Sequence, residues 1–194
     1  METFLRFVGG CGFFLDLGRF VRSFYAPEPF GHHSRPSEAL LSAVYFTSIA
    51  LSGNTALTAH EPVFLSRALY YASQAPSCTH PSNAKHGLQA EILIANYFFL
   101  RGHIQEGKSH INTAMLISTV HRAHKIRRIS NLDGVEVIEQ WERVEGFWAT
   151  YLLDKAWSIA GGLPSSFPDG LTDESRIDAP WPLDLQQFKN VGIL

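Results

Sequence analysis

Between Gly134 and Ile159 the apolar side chains return every three or four residues. Val137, Trp141, Val144, Trp148, Tyr151, Leu152 and Ala156 fall along one side of a helix. Gly161-Gly162-Leu163-Pro164 then stops it, because glycine opens the left-handed region and proline cannot continue the ladder. A helix this long draws most of its stability from burying such a side against other elements. The chain offers only helices for that purpose. No long alternation of apolar and polar residues occurs anywhere, so no sheet is expected.

Five shorter elements are predicted. A helix over about Leu15–Tyr25 follows a glycine-rich, phenylalanine-rich start. Ser34–Ser52 opens with Pro36, Ser37 as cap and Glu38 in the first turn. Leu40, Leu41, Val44, Tyr45 and Ile49 make that helix apolar nearly all round, which marks it as buried. Gly53-Asn54 ends it. Glu61–Ala75 carries Pro62 in its first turn and Pro76 at its exit, and residues 75–83 read as a loop. Lys85–Arg101 bears the stripe Leu88, Ile92, Ala95, Phe99, and Ile104–His124 the stripe Ile111, Ala114, Met115, Ser118, His121. Gly102 between them predicts an antiparallel hairpin. The expected fold is all-α: an irregular multi-helix array of antiparallel hairpins, about 6–8 helices. Residues 1–194 are taken as one unit, with 1–35 and 165–194 partly irregular.

Composition removes several function classes. With 194 residues, 45% of them apolar, the chain can bury a substantial core. A net charge of −2 and a pI near 6.5 argue against a direct grip on nucleic acid. Cys11 and Cys78 form no C-x-x-C pair, so neither a disulfide scaffold nor a cysteine-built zinc site is expected. The longest uncharged run, Ala39–His60, stops being strongly apolar near Leu51, too early to span a bilayer. The first residues include Glu2, Arg6 and Asp16 and lack the basic start of a signal peptide.

Charged clusters offer candidate sites. His121 and His124 are spaced to share a helical face, as two metal ligands would be. The preferred reading is a cation-rich helix end: Arg122, Lys125, Arg127 and Arg128 form a basic patch favoured by the helix dipole, which could also serve nuclear import. Glu136, Glu139, Glu142 and Glu145 read as a solvated acidic face, and His32-His33 as a surface loop. Ser158, Ser165 and Ser166 lack a Gly-x-Ser-x-Gly elbow, and Gly9-Gly10-x-Gly12 lacks the strand and helix of a phosphate loop. Trp141, Trp148, Tyr151 and Trp157 read as core. No catalytic, cofactor-binding or metal residue is assigned.

The string Arg143–Pro164 resembles the signature helix of the fungal-specific transcription factor domain, the middle homology region of fungal zinc-cluster transcription factors. Phe147-Trp148, Tyr151, Asp154-Lys155, Ser158 and Gly162-Leu163-Pro164 carry the resemblance. Ile177–Pro182 is similar to the family's continuation, and Ala90–His124 to its helical hairpin. Leu163 stands where the family often has Arg, and Glu145-Gly146 where it has basic residues. The family's six-cysteine DNA-binding cluster is absent from these residues. The resemblance therefore implies a fragment, a shortened product, or a member without its DNA reader. It implies a non-catalytic nuclear domain that regulates transcription through other protein segments or a small-molecule effector. DNA would be reached only through the missing module, zinc would belong to that module, and no membrane is involved. On residues alone, Trp148 and Tyr151 should anchor packing, and Asp154, one turn from Ser158, could hydrogen-bond or pair with a base from another helix. Two alternatives stay open. One is a helical-repeat scaffold. The other is an all-α enzyme, which convergence of three or more of His86, His103, His110, His121, Glu139 and Glu142 on one cavity would support and a scattered surface distribution would dismiss.

Overall fold

The computed structural model describes residues 1–75, 81–126, 134–167 and 172–191. Side-chain caps open several of the helices. Asp16 accepts the Arg19 amide at 2.7 Å and opens α2 (Leu17–Phe24). Ser37 does the same for Leu40 at the head of α3 (Glu38–Ala50). Pro62 sits in the first turn of α5 (Glu61–Ala72). Short helices α1 (Glu2–Phe7) and α4 (Thr55–Thr58) escape periodicity because each spans too few turns. Then come α6 (Pro81–Leu100), α7 (Ile104–Val120), α8 (Gly134–Gly161) and α9 (Leu185–Val191). Among the described residues there is no strand, so the all-α expectation holds.

Several boundaries shift from the sequence reading, two of them with a local cause. Helix α6 begins at Pro81, inside the predicted loop 75–83, since a proline in the first turn wastes no hydrogen bond. Helix α7 stops at Val120 rather than His124. Arg122 adopts the left-handed conformation (φ 53°), and Ala123–Lys125 continue as a separate 3-10 turn. His121 and His124 therefore do not share a helical face.

The hairpin of α6 and α7, reversed at Gly102 (φ +77°), is the most extensively packed pair. Helix α3 lies against α6 and α5, while α8 lies against α7 and α6. The main core joins Phe4, Phe14, Phe20 and Phe24 to Leu40, Leu41 and Val44 of α3, and to Leu88, Ile92 and Ile117 of the hairpin. A second core gathers Phe147 and Trp148 of α8 with Phe167, Ala179 and Phe188. The non-helical strip 11–14 crosses α6, whose side-chain amides satisfy its backbone. Gln89 accepts the Phe14 amide at 2.7 Å and donates to the Gly12 carbonyl, while Asn96 donates to the Cys11 carbonyl.

Gly107 of α7 lets the hairpin close. A Cβ there would lie 2.5 Å from the Phe99 ring, which is stacked on Trp157 at 4.4 Å and has nowhere to move. Gly107→Ala gains about 1 kcal/mol of helix propensity but meets overpacking of about 1–3 kcal/mol. The expected outcome is a net loss of stability, read as a lower urea midpoint. A midpoint that rises would show that the ring is free to yield.

Candidate functional site

The signature residues of α8 meet at a buried carboxylate. Asp154 is 0% exposed. Lys108 of α7 donates through Nζ to Oδ1 and also reaches Ser158 Oγ at 2.8 Å. Ser165 Oγ donates to Oδ2 at 2.6 Å, and Ser166 adds its amide at 2.9 Å and its hydroxyl at 2.8 Å. Those two serines reach back because Gly162 (φ +62°) reverses the chain after α8, and Ser158 Oγ holds the turn through the Pro164 carbonyl at 3.3 Å. Burial alone would raise this carboxyl, but the bonds from Lys108, Ser165 and Ser166 outweigh it and hold the group below the ordinary carboxylate range. Asp154 thus both pairs with a base from another helix, Lys108, and accepts hydrogen bonds from serines.

The aromatic half of the signature holds the segment after α8. Trp148 Nε1 donates to the Pro180 carbonyl at 2.6 Å, and its ring stacks on Trp181 at 4.7 Å. Trp141 Nε1 donates to the Leu183 carbonyl at 2.9 Å, and Glu145 accepts the Leu183 amide at 3.3 Å. Phe147 is fully buried against Phe167 and His124. Tyr151 packs on Phe147, and the Lys155 ammonium lies 5.1 Å over the Tyr151 ring.

A second ionic cluster overturns the expected solvated acidic face. Glu142 is only 4% exposed; it pairs with Lys85 of α6 and accepts the Asp16 amide at 3.0 Å. Glu139 takes Arg19 at 3.0 Å and lies 3.4 Å from Lys85. A three-residue step turns about −60° around a helix, so such a row drifts from one flank to the other. Here both flanks of α8 are covered, one by the N-terminal segment and one by the chain beyond Pro164. Only the start of the row, Glu136, is exposed.

A model of the fungal specific transcription factor domain matches residues 9–191. The chain belongs to that family. No curated protein and no solved structure matches it. In this fungal transcription factor domain the Gly-x-Pro tail acts as the arm that returns Ser165 and Ser166 to Asp154. The departure at Gly146 has a packing cause: a Cβ there would lie 2.9 Å from both Phe14 and Leu88.

The basic patch is divided. Arg122 is exposed, whereas Lys125 is spent on the chain itself, donating to the Asp173 carbonyl and to that of Arg176 at 2.8 Å. Arg127 and Arg128 lie outside the described residues. His124 is buried and holds the Glu174 carbonyl at 3.0 Å. His33 is exposed, as a surface loop requires.

Three of the residues an enzyme would need do meet. His86, Glu139 and Glu142 line one cavity of about 170 Å³ with Arg19 and Lys85. Each is already committed. Arg19 and Lys85 neutralise the carboxylates. His86 Nδ1 accepts the Ser37 amide at 3.1 Å, and burial, aided by Lys85, pushes its pKa down to about 4. His103 and His110 pair elsewhere, with Glu106 at 3.4 Å and Glu91 at 2.6 Å. Among the described residues no three His, Cys, Asp or Glu side chains gather to hold a metal ion.

Sequence reasoning missed Lys85 and Lys108, although a signal was present. Each stands three residues before the first apolar member of its stripe, Leu88 and Ile111, and so on the buried face. A lysine there demands a carboxylate from a neighbouring helix.

Proposed function

We propose that residues 1–194 form a single regulatory domain of a fungal zinc-cluster-type transcription factor. It acts in the nucleus, through other protein segments or a small-molecule effector. It does not read DNA itself, and it is not a catalyst. The family match over residues 9–191 carries this reading. The charge of −2 supports indirect rather than direct DNA contact. The two buried ion-pair clusters join helices and offer no uncommitted acid or base. Any zinc belongs to a separate DNA-binding module. Among the described residues no helix is long and apolar enough to cross a membrane.

Fusing the chain to an unrelated DNA-binding module in fungal cells tests the regulatory role. Reporter output should shift at least about fivefold relative to the module alone, the lower end of ordinary coupling. An unchanged reporter across growth conditions would remove the regulatory reading.

A further inference from the structure

Arg143 is a cation with no carboxylate partner among the described residues. Its guanidinium is half-buried and donates from Nη2 to the His121 carbonyl at 2.7 Å, its one hydrogen bond among the described residues. No described carboxylate lies within ion-pair distance of it. A guanidinium has five N–H donors, so most of this one goes unused. Burial accordingly lowers its affinity for its proton, and only distant Glu139 opposes that.

Arg143 lines a cavity of about 100 Å³ whose walls are mostly apolar, from Leu88 and Ile117 among others, with Lys85, Ser118 and His121 as its other polar residues. Ser118 is 2% exposed, and its hydroxyl has no hydrogen-bond partner among the described residues. The His121 ring makes no hydrogen bond among the described residues. Lys85 adds a cation already shared with Glu142 and Glu139. Ala84 and Lys85 belong to the opening turns of α6, the positive end of that helix dipole. The negative end of α7 also points here, but its last carbonyl, that of His121, is already capped by Arg143.

We propose that this cavity binds a compact oxyanion group, a phosphate or carboxylate carried by a small metabolite, and that this group is the domain's effector handle. The guanidinium supplies a planar fork for two oxygens, and the Ser118 hydroxyl supplies a further donor. The cavity's volume suits one such group with a few waters, and the rest of a metabolite would extend outward. The effector part rests on the regulatory reading above; the anion site does not.

Calorimetric titration of the full chain with inorganic phosphate, and separately with acetate, tests the site. Ionic strength is held constant with chloride, which also serves as the control. One of the two anions should bind saturably and raise the melting temperature, and the one that does identifies the oxyanion. Arg143→Gln should weaken binding at least about tenfold. Ser118→Ala breaks no hydrogen bond of the described structure, so it should stay folded and weaken binding about fivefold. If Arg143→Gln fails to fold, Ser118→Ala decides. The site is overturned if neither anion binds above chloride, or if Ser118→Ala retains wild-type affinity. Ser118→Ala in the tethered reporter separates the two readings. Regulation that persists when Ser118→Ala has lost anion binding overturns the effector role of the site alone, and anion binding with a silent reporter overturns the regulatory reading alone.

Discussion

Replacing Asp154 with alanine lowers the unfolding free energy by about 3–5 kcal/mol, the usual result of removing one partner from a buried ion pair. Lys108 is 8% exposed and would keep its charge with only Ser158 Oγ beside it. The Ser165 hydroxyl and the Ser166 amide would lose their acceptor as well. The second substitution should recover much of this: Lys108→Met in the Asp154→Ala background removes the stranded charge. A double-mutant cycle by urea denaturation measures the coupling. Strictly additive losses would mean that the pair contributes nothing as a pair.

The same carboxyl carries a pH signature. Its folded pKa lies below its unfolded value of about 3.9. The unfolded chain therefore takes up the proton first as pH falls. The stabilisation is complete above the unfolded pKa and disappears as pH drops through it toward the folded one. Between about pH 5 and pH 3 the wild type should lose stability more steeply than Asp154→Ala. Parallel profiles would dismiss Asp154 as a contributor to acid sensitivity.

The other large effect is at Trp148, where alanine should cost about 3–5 kcal/mol. The ring is 5% exposed, touches Phe147 and Tyr151, and stacks on Trp181. Its loss also takes the indole donor from the Pro180 carbonyl. Residues 176–184 form no helix, and backbone bonds such as that from Asp178 to the His124 carbonyl at 2.8 Å are few. Trp148→Ala should thus release this segment to protease under conditions where the wild type resists cleavage. A thermal melt with no loss, or an unchanged cleavage rate, would contradict the anchoring role.

The helices were legible because local signals agree with the tertiary outcome. Ser37, Pro62 and Gly102 do locally what capping and turn chemistry say they should. The end of α7 was not legible, because Arg122 enters the left-handed region without being glycine or asparagine. The 3-10 turn that follows is set by His124, whose ring and carbonyl both serve the segment after α8. The Asp154–Ser158 spacing announced a polar pair, but its partner Lys108 lies 46 residues away and no local pattern names it. The glutamate row was misread for a related reason. One exposed flank is assumed for a surface helix, and α8 has chain packed on two.

Lys85 and Lys108 both reach their carboxylates only on α8. The hairpin α6–α7 can therefore close early on local contacts, yet it cannot bury its two ammonium groups until the chain has extended past Asp154. Asp16 waits for Glu142 across 126 residues. Such distant closures slow the search for the native state. During synthesis the first two-thirds of the chain emerges with its ionic centres unmatched, and the docking of one late helix settles both at once. Helix α8 is in that sense the latch of the folding reaction.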